Sequence, residues 1–136
     1  MTATAIRNGL LAAALLVAGT SWAQAETLSF KADLAPVAGT DSKAAGTLTA
    51  DFDTSSKKLT WRGSYQGLGT YATSAGLYGP ANDVVVRLRS VDSPFEGTAI
   101  VSERQAPDLS AGRWFVLIRT AGFPNGELRG PLAPVK

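Results

Sequence analysis

The chain has 136 residues, with 13 Lys and Arg against 11 Asp and Glu, a formal net charge of +2, and no cysteine or histidine. The near balance of interspersed charges argues against a nucleic-acid footprint or a polybasic membrane patch, so we expect no nucleic-acid partner. Without cysteine the chain has no disulfides, thiolate metal sites or cysteine nucleophiles, and without histidine it lacks the most frequent catalytic base.

The first 25 residues have the pattern of an export signal. Arg7 supplies a positive charge, residues 9–19 form an apolar run, and Ala23-Gln24-Ala25 fits the small-x-small pattern cut by signal peptidase. We therefore predict cleavage before Glu26, leaving a domain of residues 26–136 that is periplasmic or secreted. An uncleaved anchor is the alternative. The apolar run is shorter than the roughly 20 residues of a membrane span, and no later stretch qualifies, so we expect no membrane span after cleavage.

The first half of this domain alternates apolar and polar residues with a period of two, which is typical of half-buried β-strands. Residues 28–34 form the first predicted strand, and residues 35–45 a loop of small and polar residues. Residues 46–52 and 59–66 form two further strands. The polar turn 53–57 between them predicts a hairpin.

The middle of the chain is rich in glycine. Residues 67–79 are predicted to be a loop with one brief strand at Leu77-Tyr78, because their short side chains allow backbone excursions. Residues 84–90 and 95–103 resume the strand pattern. Residues 105–112 have the composition of a loop or short helix.

The stretch Arg113–Leu132 predicts a second hairpin. Residues 114–119 are largely apolar on both faces, as expected of a central strand that is covered on both sides. Pro124-Asn125-Gly126 provides turn chemistry, and residues 127–129 form the returning strand.

Seven or eight short strands and no helix of ordinary length indicate an all-β fold. Antiparallel strands with one apolar face bury that face when two sheets pack together or when one sheet closes into a barrel. We predict an antiparallel Greek-key β-sandwich, immunoglobulin-like in outline.

The sequence resembles the CHRD domain, a repeat unit of chordin that also occurs singly in exported bacterial proteins. The resemblance rests on four stretches, which are LSFKADLAPVAG, LTWRGSYQGL, SAGLYGPA and FPNGELRGPL. The last is the most specific, since its family motif comprises Gly126, Glu127, Leu128, Arg129 and Gly130. The resemblance implies an exported all-β domain with a binding or scaffolding role and no established enzymatic activity.

The chain departs from the family where members commonly read Ala-His-Ile-His-Gly-Pro-Ala. Here the two histidine positions are Gly76 and Tyr78, and a further family histidine is replaced by Arg119. Two histidines on one strand and a third on a neighbour suit zinc or copper, whereas a glycine, a tyrosine and a cationic arginine do not. We therefore expect no metal and no other cofactor.

Two groups of residues are candidates for a binding surface. Arg87, Arg89 and Arg119, with Arg62, lie at outward positions of predicted strands and would form a cationic patch for a carboxylate, sulfate or acidic glycan. The alternative is a solvated face whose charges protect sheet edges. Tyr71 and Tyr78 could present rings to a sugar or peptide, or else be partly buried caps.

Glu127 and Arg129 are two residues apart on a predicted strand and so share a face. They predict a structural ion pair or hydrogen-bond network that closes the last hairpin, with a recognition site as the alternative.

The sequence provides no catalytic constellation. No histidine can activate a serine, no Gly-x-Ser-x-Gly elbow occurs, and nothing places two carboxylates across a cleft. We predict a non-enzymatic exported binding module whose partner is an unknown protein or surface polymer. The alternative is a structural cell-envelope domain with no dedicated ligand site.

Overall fold

The computed structural model describes residues 26–135, so the predicted signal peptide lies outside the described residues. This part of the chain contains nine strands and one short helix. They are β1 (Thr27–Pro36), β2 (Ala45–Asp53), β3 (Lys58–Gln66), β4 (Ala72–Tyr78), β5 (Val84–Arg87), β6 (Phe95–Ile100), α1 (Ala106–Ser110), β7 (Phe115–Thr120), β8 (Leu128–Pro131) and β9 (Ala133–Pro134). Between residues 26 and 135 no helix has the length and apolar character needed to cross a membrane.

The strands form an antiparallel arrangement in the order β5-β4-β7-β8-β1-β2-β3-β6, with β9 added to β1. Strand β1 joins two layers, because most of its length pairs with β2 while Ala35 and Pro36 pair with β8. The first layer contains β9, β1, β2, β3 and β6, and the second contains the end of β1 with β8, β7, β4 and β5. This arrangement confirms the predicted all-β, antiparallel, sandwich-like fold.

The β2–β3 hairpin is confirmed, with unbroken pairing from Ala45 opposite Gln66 to Asp53 opposite Lys58. Its turn is held by the Asp53 carboxylate, which accepts hydrogen bonds from the backbone N–H groups of Ser55 (2.8 Å) and Ser56 (3.0 Å). These bonds hold the pKa of Asp53 below its ordinary value. Lys57 completes the turn at a φ of 65°.

Alternation along the strands produces one continuous core between the layers. Every second residue of β1 is buried, and the same holds for β2. The largest side chains that are fully enclosed are Trp114, Phe30, Phe52, Leu48, Leu59, Leu77, Leu109, Ile118, Leu128 and Leu132. The core therefore draws on both layers and on α1.

The prediction of a loop over residues 67–79 is wrong for its second half. Residues Ala72–Tyr78 form the seven-residue strand β4, which pairs with β5 on one side and β7 on the other. At Gly76, close packing favours the absence of a side chain. A Cβ on Gly76 would lie 3.1 Å from the Val86 carbonyl oxygen and 3.2 Å from Cε1 of Tyr78.

The C-terminal hairpin forms as predicted, with β7 paired on both sides, by β4 and β8. The returning strand begins at Leu128, one residue later than predicted. Gly126 in the preceding turn has a φ of 125°, and a Cβ there would lie 2.6 Å from Cδ1 of Leu117. Strands β5 and β6 end earlier than predicted, while α1 lies within the predicted loop or short helix.

Candidate binding surface

The outer face of the second layer brings together four side chains from three strands. Tyr78 of β4 lies opposite Phe115 of β7, while Leu117 of β7 lies opposite Arg129 of β8. Since alternate residues of a strand share a face, Phe115, Leu117 and Arg119 point the same way. We call Tyr78, Phe115, Arg119 and Arg129 the arginine–aromatic surface.

The four side chains form a row of alternating contacts. The rings of Tyr78 and Phe115 stack with centroids 5.3 Å apart and an interplanar angle of 18°. The Arg129 guanidinium carbon lies 4.0 Å from the Phe115 centroid, and that of Arg119 lies 5.8 Å from the Tyr78 centroid. Both distances fall within the range of cation–π attraction, so two cations flank one aromatic pair.

Arg119 is the least satisfied member of this row. Its side chain is half-buried, and its Nε is enclosed without a hydrogen-bond partner among residues 26–135. Within the same residues, the ion pairs are Lys31–Asp33 and Arg113–Asp108, so no carboxylate lies within 4.0 Å of either guanidinium of the surface. An enclosed N–H without an acceptor has a cost in free energy.

The predicted arginine patch is divided between separate places. Arg87 is exposed on β5 opposite Gly76, so it lies on the same face as the arginine–aromatic surface but one strand further out. Arg89 is exposed just beyond β5 and, with Arg87, lines a groove beside that strand. Arg62 lies on the first layer, opposite Glu96, and so is not part of the patch.

The tyrosines are also separated. Tyr71 is 74% exposed in the loop before β4, where its carbonyl accepts a hydrogen bond from the Ala121 N–H at 3.2 Å. Tyr78 is buried to 8% exposure at the other end of β4, about 20 Å away at ~3.3 Å per residue. Tyr65 packs inward, with its ring centroid 6.1 Å from that of Phe95, and its hydroxyl donates a hydrogen bond to the Val91 carbonyl.

The sequence does not indicate Phe115 as a surface residue, because the stretch around it is apolar on both faces. It predicts a structural ion pair or hydrogen-bond network for Arg129, with a recognition site only as the alternative. Phe115 lies an even number of residues from Arg119, and Arg129 lies two residues from Pro131, so the alternation of side chains along a strand indicates which residues share a face. The contacts of Phe115 with Tyr78 and Arg129 depend in addition on the pairing of β7 with β4 and β8.

Of the two predicted structural roles of Glu127 and Arg129, the hydrogen-bond network exists, but it surrounds Glu127 alone, and among residues 26–135 the two side chains form no ion pair. The Glu127 carboxylate is 1% exposed and accepts hydrogen bonds from Ser42 Oγ (2.6 Å), Thr120 Oγ1 (2.8 Å) and the Gly69 N–H (3.2 Å). Arg129 is exposed and contacts Phe115 instead. The two side chains are drawn apart because Glu127 lies in the turn before β8.

Burial raises the pKa of Glu127, but the hydrogen bonds from Ser42, Thr120 and Gly69 together outweigh it, so the pKa lies below its ordinary value. Glu127 is therefore an ionised carboxylate at neutral pH. It ties the β1–β2 loop and the β3–β4 loop to the end of β7.

The residues present do not fit a metal ion. Gly76, Tyr78 and Arg119, which replace the family's histidines, do come close together on the second layer. A glycine offers no ligand, and a guanidinium repels a cation. Among residues 26–135 no group of three or more His, Cys, Asp or Glu has metal-binding geometry.

The fold and the surface thus define an antiparallel β-sandwich domain with a cation–aromatic face and a buried carboxylate in its last turn. The family model of the CHRD domain matches residues 27–132, and the chain belongs to this family. No curated protein and no solved structure gave a significant match.

Proposed function

We propose that this chain is a non-enzymatic, exported binding module whose arginine–aromatic surface binds acidic groups of a protein or surface polymer. One observation carries the proposal. Two guanidinium groups flank a stacked tyrosine–phenylalanine pair on an outer sheet face, and one of them has an enclosed Nε without an acceptor. Membership of a family of binding-type modules supports it.

The geometry favours carboxylate or sulfate over a neutral ligand. A guanidinium that lies over a ring uses its face for that contact and leaves its edge N–H groups for an in-plane acceptor. Carboxylates and sulfates accept two such bonds at once, and charge-assisted bonds are about twice as strong as neutral ones. Exposed Arg129 and half-buried Arg119 would then bind from opposite ends of the aromatic pair.

Export is supported by the sequence of the first 25 residues, with its single cation, apolar run and Ala-Gln-Ala site. The non-enzymatic role is supported by the absence of histidine and cysteine from the whole sequence, together with the lack of an activated nucleophile.

A purely structural envelope domain is the second candidate. The observation in its favour is that the four side chains contact each other, and such contacts stiffen a sheet whether or not a ligand binds. The two functions differ in their response to an added polyanion.

The test is a titration of the domain with alginate, a carboxylate polysaccharide, and with neutral dextran. We expect alginate to shift the Nε–H resonances of Arg119 and Arg129, and dextran to leave them unchanged. Arg129→Gln should weaken alginate binding about tenfold, or ~1.4 kcal/mol, which is the range of one hydrogen bond to a charged group. Arg62→Gln on the opposite layer is the matched control and should bind like the parent.

Equal weakening by Arg129→Gln and Arg62→Gln would indicate diffuse attraction and would contradict the proposed surface. If alginate does not shift these resonances, the structural role is the correct one.

A further inference from the structure

The sandwich has an open side between its two edge strands. Strand β5 pairs only with β4, and β6 pairs only with β3, so within residues 26–135 each has one edge without a strand partner. Between them lies a groove of about 610 Å³, lined by residues of both strands and by Trp61. Every second residue of an edge strand directs its N–H and C=O outward, so the groove borders two rows of unpaired backbone groups.

The inner side of this groove is lined by Trp61, Gly97 and Ala99. Gly97 and Ala99 of β6 carry small or absent side chains, and Trp61 packs directly beside Gly97, where a Cβ would lie 2.6 Å from Cζ2 of the indole. Ile100 lines the groove at the end of β6 and shares the outer face of that strand with Glu96. It is 70% exposed and is one of the four large hydrophobic residues that are exposed among residues 26–135.

The β5 wall of the groove carries positive charge. Arg87 and Arg89 lie exposed along the β5 wall, and neither has a carboxylate within 4.0 Å among residues 26–135. Glu96 is the acidic residue of the β6 wall, but it lies opposite Arg62 on the outer face of the first layer. The groove therefore complements an acidic occupant.

We propose that this groove binds an extended segment of a partner protein that adds as a strand to the β5 or β6 edge, with apolar and acidic side chains in alternation. Backbone hydrogen bonds to the edge would provide affinity, as in other cases of strand addition. Apolar side chains would lie over Trp61 and Gly97, and acidic side chains would reach Arg87 and Arg89. This inference does not depend on the arginine–aromatic surface.

The probe is an eight-residue capped peptide of alternating valine and glutamate, titrated into the ¹⁵N-labelled domain up to millimolar concentration. We expect amide shifts along β5 and β6 and slower hydrogen exchange at their outer N–H groups. Two control peptides separate the contributions. Replacing glutamate with lysine removes the charge match, and N-methylation of alternate residues removes backbone donors, so both should bind at least about tenfold more weakly.

Two pairs of variants locate the site. Ile100→Glu and Arg89→Gln should each weaken the valine–glutamate peptide about tenfold. Val135→Glu and Arg62→Gln make the same chemical changes at exposed positions outside the groove and should leave binding unchanged. All four positions are exposed, so the melting temperature of each variant should match that of the parent.

Three results would overturn the proposal. The first is no amide shift on β5 or β6 at millimolar peptide. The second is a set of shifts centred on Tyr78 and Phe115 that Arg129→Gln abolishes, because the peptide would then bind the arginine–aromatic surface. The third is a dimer in sedimentation that Ile100→Glu dissociates, because the occupant would then be a second copy of the chain.

Discussion

Glu127 connects two loops to the end of β7. Its two carboxylate oxygens accept three hydrogen bonds from three different parts of the chain, and the side chain is almost fully buried. A charge in that position is tolerated only because each oxygen has donors. This explains why the family motif carries a carboxylate one residue after the turn glycine.

Replacing Glu127 with glutamine should destabilise the domain by about 2 kcal/mol, since a neutral amide loses the charge-assisted hydrogen bonds that the carboxylate accepts from Ser42, Thr120 and Gly69. Urea unfolding followed by tryptophan fluorescence measures the change in the free energy of unfolding. Glu96→Gln is the matched control at an exposed position and should stay within about 0.5 kcal/mol of the parent. Equal effects of the two substitutions would show that the buried hydrogen bonds contribute little.

At the scale of elements, β8 packs closely against β1 where β1 passes from one layer to the other. A Cβ on Gly130 would lie 2.2 Å from the backbone carbonyl oxygen of Asp33. That oxygen belongs to a strand that is paired with β2, so it has little freedom to move. Gly130 in the motif is thus required by the packing of two strands.

Gly130→Ala should force β1 and β8 apart and cost about 2–3 kcal/mol of stability, at the upper end of the range for overpacking. Gly69→Ala is the control, because a Cβ there meets nothing within 4 Å and the Gly69 N–H is retained for Glu127. Thermal unfolding of both variants checks the prediction, and a Gly130→Ala variant that melts like Gly69→Ala would contradict it.

The elements that the sequence predicts well are strands with one buried and one solvent-exposed face. Strands β1, β2 and β3 alternate regularly, so their existence and the β2–β3 register follow from the pattern. Strand β4 does not follow from it, because small side chains at residues 72–76 carry little strand signal while the neighbouring strands β5 and β7 enclose them.

The candidate surface is predictable to a similar extent. The residue types of Tyr78 and Arg119 make them candidates for a binding surface. Their contacts within a row that also contains Phe115 and Arg129 depend on pairing between strands far apart in sequence. The outward strand position of Arg62 and the loop position of Tyr71 predict that they join these residues, but the topology separates them.

At the scale of the whole molecule, the absence of histidine shapes the response to pH. No side chain of the sequence has an ordinary pKa between about 5 and 8, so stability should be nearly constant across that range. Acidification acts through the carboxylates. Glu127 and Asp53 both have pKa values below their ordinary ones in the folded domain.

A lowered pKa in the folded state means that the unfolded chain binds protons first as pH falls. The stabilisation is fully present above the unfolded values, about 4.3 for Glu and 3.9 for Asp, and it is lost as pH falls through the lower folded values. We therefore expect the free energy of unfolding to fall below about pH 4.5, mainly through Glu127, since Asp53 is in a solvated turn. Urea unfolding between neutral pH and pH 3 at constant ionic strength measures this dependence. Glu127→Gln should reduce its slope, and an unchanged slope in that variant would show that other carboxylates govern acid unfolding.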